Sequence, residues 1–337
     1  MDELDRFVLA APLTDTWKAT HVHEIQRDQP NRCRTYHAVH ASGRRGFVKV
    51  LPPTTHDLEL MRRQIDEFFY EKEIVELCAQ RNMRRVVRAL AFDKLEAPGV
   101  VPTTLHYLIF EWGEHDARSL DTASDADYVR AVIKCLHHVA TAVMEIHFSN
   151  IAHQNLRPAS IIRFADDSHK VGDFRHSHRA GVPRTHDSGP PDATYAAPEI
   201  LYGRPIASFD DRCAIDLYQL GSLGFSLLSG IGATTQMSRR LSALHHWRTW
   251  TGSFDDALPF LVIAHEELVR AVGPDLPPSI RPDLVLALRQ LTEPDPRRRG
   301  HPTNARGSGP RYGVERYVSL FALLLKRLDV NRRRGAA

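Results

Sequence analysis

Cysteine and histidine are the first residue types to consider, because both bind metals and cysteine also forms disulfides. The chain has four cysteines, none of them in a C-x-x-C pair: Cys33, Cys78, Cys135 and Cys213. This spacing excludes a disulfide scaffold and a cysteine-based zinc module, and it is typical of a reduced cytosolic protein. Among the 19 histidines, His137-His138 and His245-His246 are adjacent. Adjacent residues on a helix point to different sides, so neither pair predicts a metal site.

The segment 153–174 holds the most informative motif and reads HQNLRPASIIRFADDSHKVGDF. Its first eight residues resemble the H-R-D-L-K-P-x-N catalytic loop of the eukaryotic-type protein kinases, and Asp173-Phe174-Arg175 stands at that family's D-F-G position. The gap between the two motifs is that of the family. The sequence therefore resembles the serine/threonine kinases. This resemblance implies an α+β fold with a small β-rich N-lobe and a larger helical C-lobe.

Further motifs of the family follow in the expected order, so that the resemblance covers roughly residues 34 to 299. Lys49 on a predicted strand and Glu71 in the following helix stand at the positions of the family's lysine–glutamate ion pair. Glu199 ends an intact A-P-E, and Arg299 stands where the family's partner of that glutamate lies. Asp216 is the second residue of the segment IDLYQLG, inside an apolar helix. We expect it to be structural and to hold the backbone of the catalytic loop, since a buried carboxylate is costly unless hydrogen-bonded.

Several positions that would do the chemistry differ from the family. Asn155 stands at the place of the catalytic base, and an amide cannot accept a proton near pH 7. Ser160 replaces a metal-binding asparagine, and its hydroxyl is a poorer magnesium ligand, whereas Asp173 leaves one metal position. Arg157 replaces the loop lysine, keeping the charge but changing its geometry. These departures predict that phosphotransfer is lost or very weak.

The nucleotide pocket implied by the resemblance is altered too. No glycine precedes Gly43, so the family's Gly-rich loop is missing. Phe47 stands where the family has a small alanine against adenine, and a phenyl ring there would fill part of the purine space. The resemblance assigns these other residues to the pocket: Lys49, Phe110, Glu111, Trp112 and Ile162.

Three substitutions affect positions that regulate kinases. Gln154 replaces the arginine that would pair with a phosphorylated activation loop. Arg175 replaces the D-F-G glycine and removes a flexible hinge. Asp192 stands where the family usually has a threonine that faces the substrate hydroxyl.

Hydrophobic patterning predicts the elements that must position these residues. We expect an N-lobe over 1–112 and a C-lobe over 113–337, with no regular element in 1–29. The N-lobe is predicted to contain a helix over 57–81 and strands over 34–41, 46–51, 86–92 and 105–112. The C-lobe is predicted to contain short strands over 161–163 and 170–171 and helices over 127–148, 213–229, 260–272, 282–291 and 316–328.

Composition narrows the function classes. The 337 residues are 42% hydrophobic and 25% charged, which argues against disorder and a coiled coil. A formal net charge of +3 is too mild to predict nucleic-acid binding, and the basic clusters at 81–88, 297–299 and 331–334 are typical of solvated faces. The sequence shows no membrane-spanning stretch and no secretory signal, so we expect a cytoplasmic protein. Its residue usage suits a GC-rich bacterial genome.

The sequence predicts a pseudokinase that acts as a protein-binding, scaffolding or allosteric module. We expect protein partners, such as an effector enzyme or an active kinase, and no cofactor. The alternative is an atypical ATP-dependent protein kinase or a nucleotidyl transferase. Such an enzyme would use Lys49, Glu71 and Asp173 to hold ATP and magnesium.

Overall fold

The chain folds into two compact units in the computed structural model. The structure describes residues 3–14, 16–22, 33–51, 58–97, 103–120, 125–184 and 192–335. One unit comprises Met1–Glu114 with Arg184–Ser188, and the other comprises His115–Pro183 and Gly189–Ala337. The first unit is rich in β-strands and the second is mainly helical, as expected for a kinase-like α+β fold.

An antiparallel six-stranded sheet dominates the first unit. Its strands are β1 Pro12–Leu13, β2 Trp17–Val22, β3 Arg34–His40, β4 Arg45–Val50, β5 Ala89–Ala97 and β6 Thr103–Glu111. Their order across the sheet is β1-β2-β3-β4-β6-β5. In the described part of this unit lie the helices α1 Glu3–Ala10 and α2 Leu58–Gln80. Strand β5 begins three residues later than predicted, and Asp57, the predicted start of α2, lies outside the described residues.

One face of this sheet is buried beneath the N-terminal residues. Side chains alternate along β4, so that Val48 lies in an apolar cluster with Tyr36 of β3 and Val8 of α1. Gly46 faces the same cluster. A Cβ atom at Gly46 would lie 2.6 Å from the ring of Trp17, so the close approach of strand and ring requires glycine.

The absence of regular structure predicted for residues 1–29 is wrong, because α1, β1 and β2 lie within this range. Asp5 explains how α1 is fixed. Its carboxylate accepts hydrogen bonds from the Tyr36 hydroxyl at 3.0 Å and from the Arg34 guanidinium at 3.2 Å. Both donors lie about thirty residues later on β3, so local periodicity could not reveal this anchor.

The second unit contains most of the helices. They are α3 Asp125–Phe148, α4 Pro198–Leu201, α5 Phe209–Ser229, α6 Ala233–Ser238, α7 Phe254–Val272, α8 Arg281–Leu291, α9 Pro302–Arg306 and α10 Glu315–Gly335. Its short strands are β7 His115–Asp116, β8 Ile151–Ala152, β9 Ile161–Arg163, β10 His169–Val171 and β11 His178–Arg179. They pair in the order β10-β9-β7 and as β11-β8. No helix in the described ranges has the length and apolarity needed to cross a membrane.

Helix α7 begins six residues before the predicted 260–272 segment. A capping box explains the earlier start, because the Ser253 hydroxyl accepts from the Asp256 N–H and the Asp256 carboxylate accepts from the Ser253 N–H, each at 3.2 Å. Pro259 lies inside the helix, beyond its first turn. The cap therefore sets the boundary, and the proline does not.

A buried ion pair joins α4 to the segment after α8. The guanidinium of Arg299 donates to both carboxylate oxygens of Glu199, at 2.6 and 2.9 Å, and the two side chains are 0% and 1% exposed. The same guanidinium donates to the carbonyl oxygens of Ala214 and Pro294. The predicted pairing of Glu199 with Arg299 is confirmed.

Substitution of Arg299 should destabilise the fold strongly. Arg299→Met leaves Glu199 buried without its counter-charge, and breaking a buried pair in this way costs about 3–5 kcal/mol. Arg297→Met is the matched control, because Arg297 is an exposed partner of Asp255 and its loss should cost about 1 kcal/mol or less. Urea unfolding followed by circular dichroism measures both free energies of unfolding, and equal losses would contradict the assignment.

Candidate functional site

The first unit contributes a buried lysine–glutamate ion pair. Lys49 lies on β4 and Glu71 on α2, and the Lys49 ammonium group donates to the Glu71 carboxylate. The two side chains are 13% and 2% exposed, so the pair is largely shielded from water. The predicted pairing is confirmed. Its use in binding a nucleotide stays a prediction.

Two phenylalanines lie on the same strand face as Lys49. Phe47 precedes Lys49 by two residues, and side chains two apart on a strand share a face. In the register of the sheet, Phe47 lies opposite Phe110 of β6. Phe110 is buried and Phe47 is half-buried. The structure therefore brings together the two bulky residues predicted at the nucleotide pocket.

Beside Phe47, an aromatic stack extends across this face of the sheet. His37 lies opposite Phe47 in the register of β3 and β4, and its ring lies 4.4 Å from the ring of Trp112. The ring of His21 stacks on the ring of His37, with centroids 3.9 Å apart. Arg45 lies over Trp112 at 5.0 Å. His21 and His37 were not predicted from the sequence, because only the pairing of β2, β3 and β4 aligns them with Trp112.

Glu111, the other residue of the predicted hinge, is bound to the backbone. Its carboxylate accepts a hydrogen bond from the N–H of Arg88 at 2.9 Å, and its own N–H donates to the Arg88 carbonyl at 3.0 Å. This reciprocal contact fixes the end of β6. It leaves the predicted role of Glu111 toward a nucleotide untested.

In the second unit, Asp216 of α5 organises the loop that follows β8. Its carboxylate accepts hydrogen bonds from the backbone N–H groups of His153 and Gln154, both at 2.7 Å. The ring of His147 contacts the same carboxylate at 2.9 Å. Gln154 has a φ of 65°, a left-handed conformation that a side chain rarely adopts without such support. The predicted structural role of Asp216 is confirmed.

Two residues at chemically altered positions lie inside this loop. The buried Asn155 donates from its backbone N–H to the ring of His153 at 3.3 Å. The hydroxyl of Ser160 donates to the Arg157 carbonyl at 2.8 Å and accepts from the Arg157 N–H at 3.1 Å. The Ser160 hydroxyl therefore closes the loop on itself. In the sequence, the feature that could have indicated this contact is the three-residue spacing between Arg157 and Ser160.

Asp173 lies between two arginines. The Arg175 Nε lies 3.1 Å from Oδ1 of Asp173, and the Arg157 Nη2 lies 3.7 Å from Oδ2. Arg157 also reaches Asp192, at 3.3 Å from Nη1 to Oδ2. All four side chains are partly exposed. We call this set the Asp173 network: Asp173, Arg157, Arg175 and Asp192.

Ile162, the remaining predicted pocket residue, lies on the central strand of a small sheet. It is opposite Lys170 of β10 and Asp116 of β7, and it is partly buried. The structure assigns it to the second unit together with Asn155 and Asp173. Its predicted contact with a nucleotide stays a prediction.

Other metal or nucleophile chemistry finds no support among the residues that the structure describes. Within those ranges no group of three or more His, Cys, Asp or Glu side chains is placed to hold a metal ion. Burial raises the pKa of the Cys135 and Cys213 thiols above their ordinary value, so both stay protonated. Cys135 and Cys213 are free thiols.

Comparison with known proteins gives kinases as relatives. The chain is 29% identical over 126 residues to cell division control protein 2 homolog 3 of Trypanosoma brucei brucei, a match that covers 37% of this chain and 39% of the relative. It is 31% identical over 99 residues to serine/threonine-protein kinase SBK1 of Danio rerio, covering 29% and 25%. It is 29% identical over 208 residues to the proto-oncogene serine/threonine-protein kinase mos of Sus scrofa, covering 53% and 59%.

These matches are partial. The chain spans from a quarter to about three fifths of the length of these three relatives. No family model matches it. The motif order, the two-unit α+β architecture and these similarities nevertheless agree with one another. Over part of its length the chain is similar to serine/threonine protein kinases, and its α+β architecture is kinase-like.

Proposed function

We propose that this protein is a pseudokinase, a kinase-like fold that works as a protein-binding, scaffolding or allosteric module and has lost phosphotransfer or nearly so. The observation that carries the proposal is the Asp173 network. Asp173 is the remaining carboxylate at the family's magnesium position, and guanidinium groups of Arg157 and Arg175 lie beside its two oxygens.

Electrostatics explains why this arrangement disfavours a magnesium ion. Two unit charges 4 Å apart interact by about 4 kcal/mol at an effective dielectric constant of about 20. The Asp173 carboxylate attracts each positive charge of a bound cation by an energy of this size. Each arginine repels that charge by an energy of about the same size, so the two arginines oppose the attraction. Magnesium also requires a near-octahedral set of oxygen ligands, and the hydroxyl of Ser160 already bonds the backbone of Arg157. The residues present do not fit a magnesium site.

The position of the catalytic base supports the same proposal. Asn155 cannot accept a proton from a substrate hydroxyl, and general-base assistance is typically worth ~10²–10⁴-fold in rate. The neighbouring contacts to Asp216 and His153 keep Asn155 in a defined loop. We infer that the loop keeps its shape without its proton acceptor.

The sheet face that carries Lys49 offers further support. Phe47 and Phe110 lie opposite each other there, and the ring of His37 lies 4.4 Å from that of Trp112. Phe47, Phe110 and Trp112 occupy positions that the resemblance assigns to an adenine pocket. Side chains that pack on each other leave few voids for a purine.

One observation favours a second candidate, the ATP-dependent kinase or nucleotidyl transferase with altered chemistry. Lys49 and Glu71 still form their buried pair, which in an active kinase holds the lysine toward the nucleotide phosphates. A pair of this kind also stabilises the packing of α2 on the sheet. Only a nucleotide-binding measurement distinguishes a role in holding ATP from a purely structural role.

A thermal-shift titration with ATP, with and without magnesium or manganese, should leave the unfolding temperature unchanged. A ligand at 100 times its dissociation constant would stabilise the protein by about 2.7 kcal/mol, which is readily seen. Lys49→Ala is the control for specific binding. A metal-dependent shift in the natural sequence that disappears in Lys49→Ala would contradict the proposal and favour the altered enzyme.

Removing the positive charges of the Asp173 network should create a cation site. The double variant Arg157→Gln/Arg175→Gly removes both charged guanidinium groups beside Asp173, so we expect it to bind Mn²⁺ in calorimetric titration while the natural sequence does not. Adding Asp173→Asn to the double variant should abolish the new binding. Equal Mn²⁺ binding by the natural sequence, or none by the double variant, would show that the arginines do not control the site.

A further inference from the structure

The segment between α6 and α7 carries a surface that the kinase motifs do not use. Residues 239–250 read RRLSALHHWRTW and contain three arginines and no aspartate or glutamate. We call these residues, together with Ile263 of α7, the Arg–Trp surface. We propose that it binds an acidic protein segment that presents an apolar side chain. This inference names the partner class for the protein-binding function proposed above and rests on it.

The apolar part of this surface is open to solvent. Leu244 is 79% exposed and Ile263 is 60% exposed. Trp247 and Trp250 are partly buried and pack on the apolar cluster around Tyr202. Tryptophan and arginine are enriched among the residues that dominate binding energy at protein interfaces. The surface therefore combines an exposed anchor point with a packed aromatic base.

The charge of this surface is uncompensated. Arg239 and Arg248 are exposed, and Arg240 donates to the Gln236 carbonyl at 2.8 Å. Within the part of the chain that the structure describes, none of these three arginines forms an ion pair with a carboxylate. Elsewhere in this unit, exposed arginines such as Arg289 do have acidic partners. A partner with acidic residues would supply the missing counter-charges.

Internal contacts hold the surface in one shape. The Tyr202 hydroxyl donates to the His245 carbonyl at 2.5 Å, and the Trp250 indole N–H donates to the Ser253 carbonyl at 2.9 Å. The ring of His245 stacks on Phe260, with centroids 3.4 Å apart. A surface ordered before binding loses less conformational entropy in the complex, which favours affinity.

The same features favour a protein segment over a nucleic acid. A nucleic-acid site typically neutralises about 6–10 phosphates, whereas this surface offers three arginines. One side of the Trp247 ring is covered by His246, stacked at 4.1 Å, so that side is closed to a base. Leu244 and Ile263 contact neither phosphate nor base edges favourably. An acidic, leucine-containing peptide matches both the charge and the apolar anchors.

Fluorescence anisotropy with a fluorescein-labelled peptide rich in glutamate and carrying two leucines tests the inference on the full chain. We expect saturable binding that Arg248→Glu and Leu244→Asp each weaken at least ~10-fold, the size expected for interface hot spots. The matched controls are Arg270→Glu and Leu286→Asp, which alter an exposed arginine of α7 and an exposed leucine of α8. Both controls should bind like the natural sequence, and thermal unfolding checks that all four variants fold.

Several results would overturn the inference. The first is that no peptide binds up to about 1 mM, which corresponds to less than about 4 kcal/mol of binding free energy. The second is that the control variants weaken binding as much as the test variants do. The third is that a peptide with glutamine in place of glutamate binds equally well. Displacement by a single-stranded oligonucleotide of equal charge would instead indicate a nucleic-acid surface. The assay contains no nucleotide. Failure of the peptide to bind therefore does not change the result of the ATP titration. An ATP-dependent shift in unfolding temperature would count against the pseudokinase proposal and would not change the peptide result.

Discussion

The buried carboxylate of Asp216 is the interaction on which the loop of the second unit depends. It is fully buried, and an unpaired charge in that position would cost several kcal/mol. The backbone N–H groups of His153 and Gln154 and the ring of His147 satisfy it. Hydrogen bonds to a charged group contribute about 1.5–3 kcal/mol each, enough to hold Gln154 at positive φ. Asp216 of helix α5 therefore determines the positions of the loop residues that follow Gln154.

This constraint separates two classes of position. Asp216, Glu199 and Arg299 each have buried charges whose partners are fixed by geometry, so losing one partner would cost about 3–5 kcal/mol. Arg157 and Arg175 are partly exposed, and changes there are cheaper for folding. A chain under selection for its fold alone would keep the first class and vary the second. The retained Asp216, Glu199 and Arg299 and the altered Arg157 and Arg175 follow that division, which supports the pseudokinase proposal.

The sequence was sufficient for contacts that a motif encodes by spacing. The pairing of Lys49 with Glu71, that of Glu199 with Arg299 and the role of Asp216 all follow from the kinase-like order of motifs. Contacts that depend on strand register were not predictable. The contact between the rings of His37 and Trp112 requires β3 to pair with β4, and helix α1 is anchored through partners on a distant strand. No local pattern encodes such pairings.

The Asp173 network shows why a retained catalytic residue is an ambiguous signal. Asp173 would be kept in an active kinase because it binds metal, but here it has Arg157 and Arg175 as partners, and Arg157 also pairs with Asp192. Two acidic and two basic side chains make a neutral set, so replacing any one of them leaves an excess charge in a half-buried place. Asp173 is then a counter-charge for the two arginines. Retention of Asp173 is thus expected whether or not the protein ever meets a nucleotide.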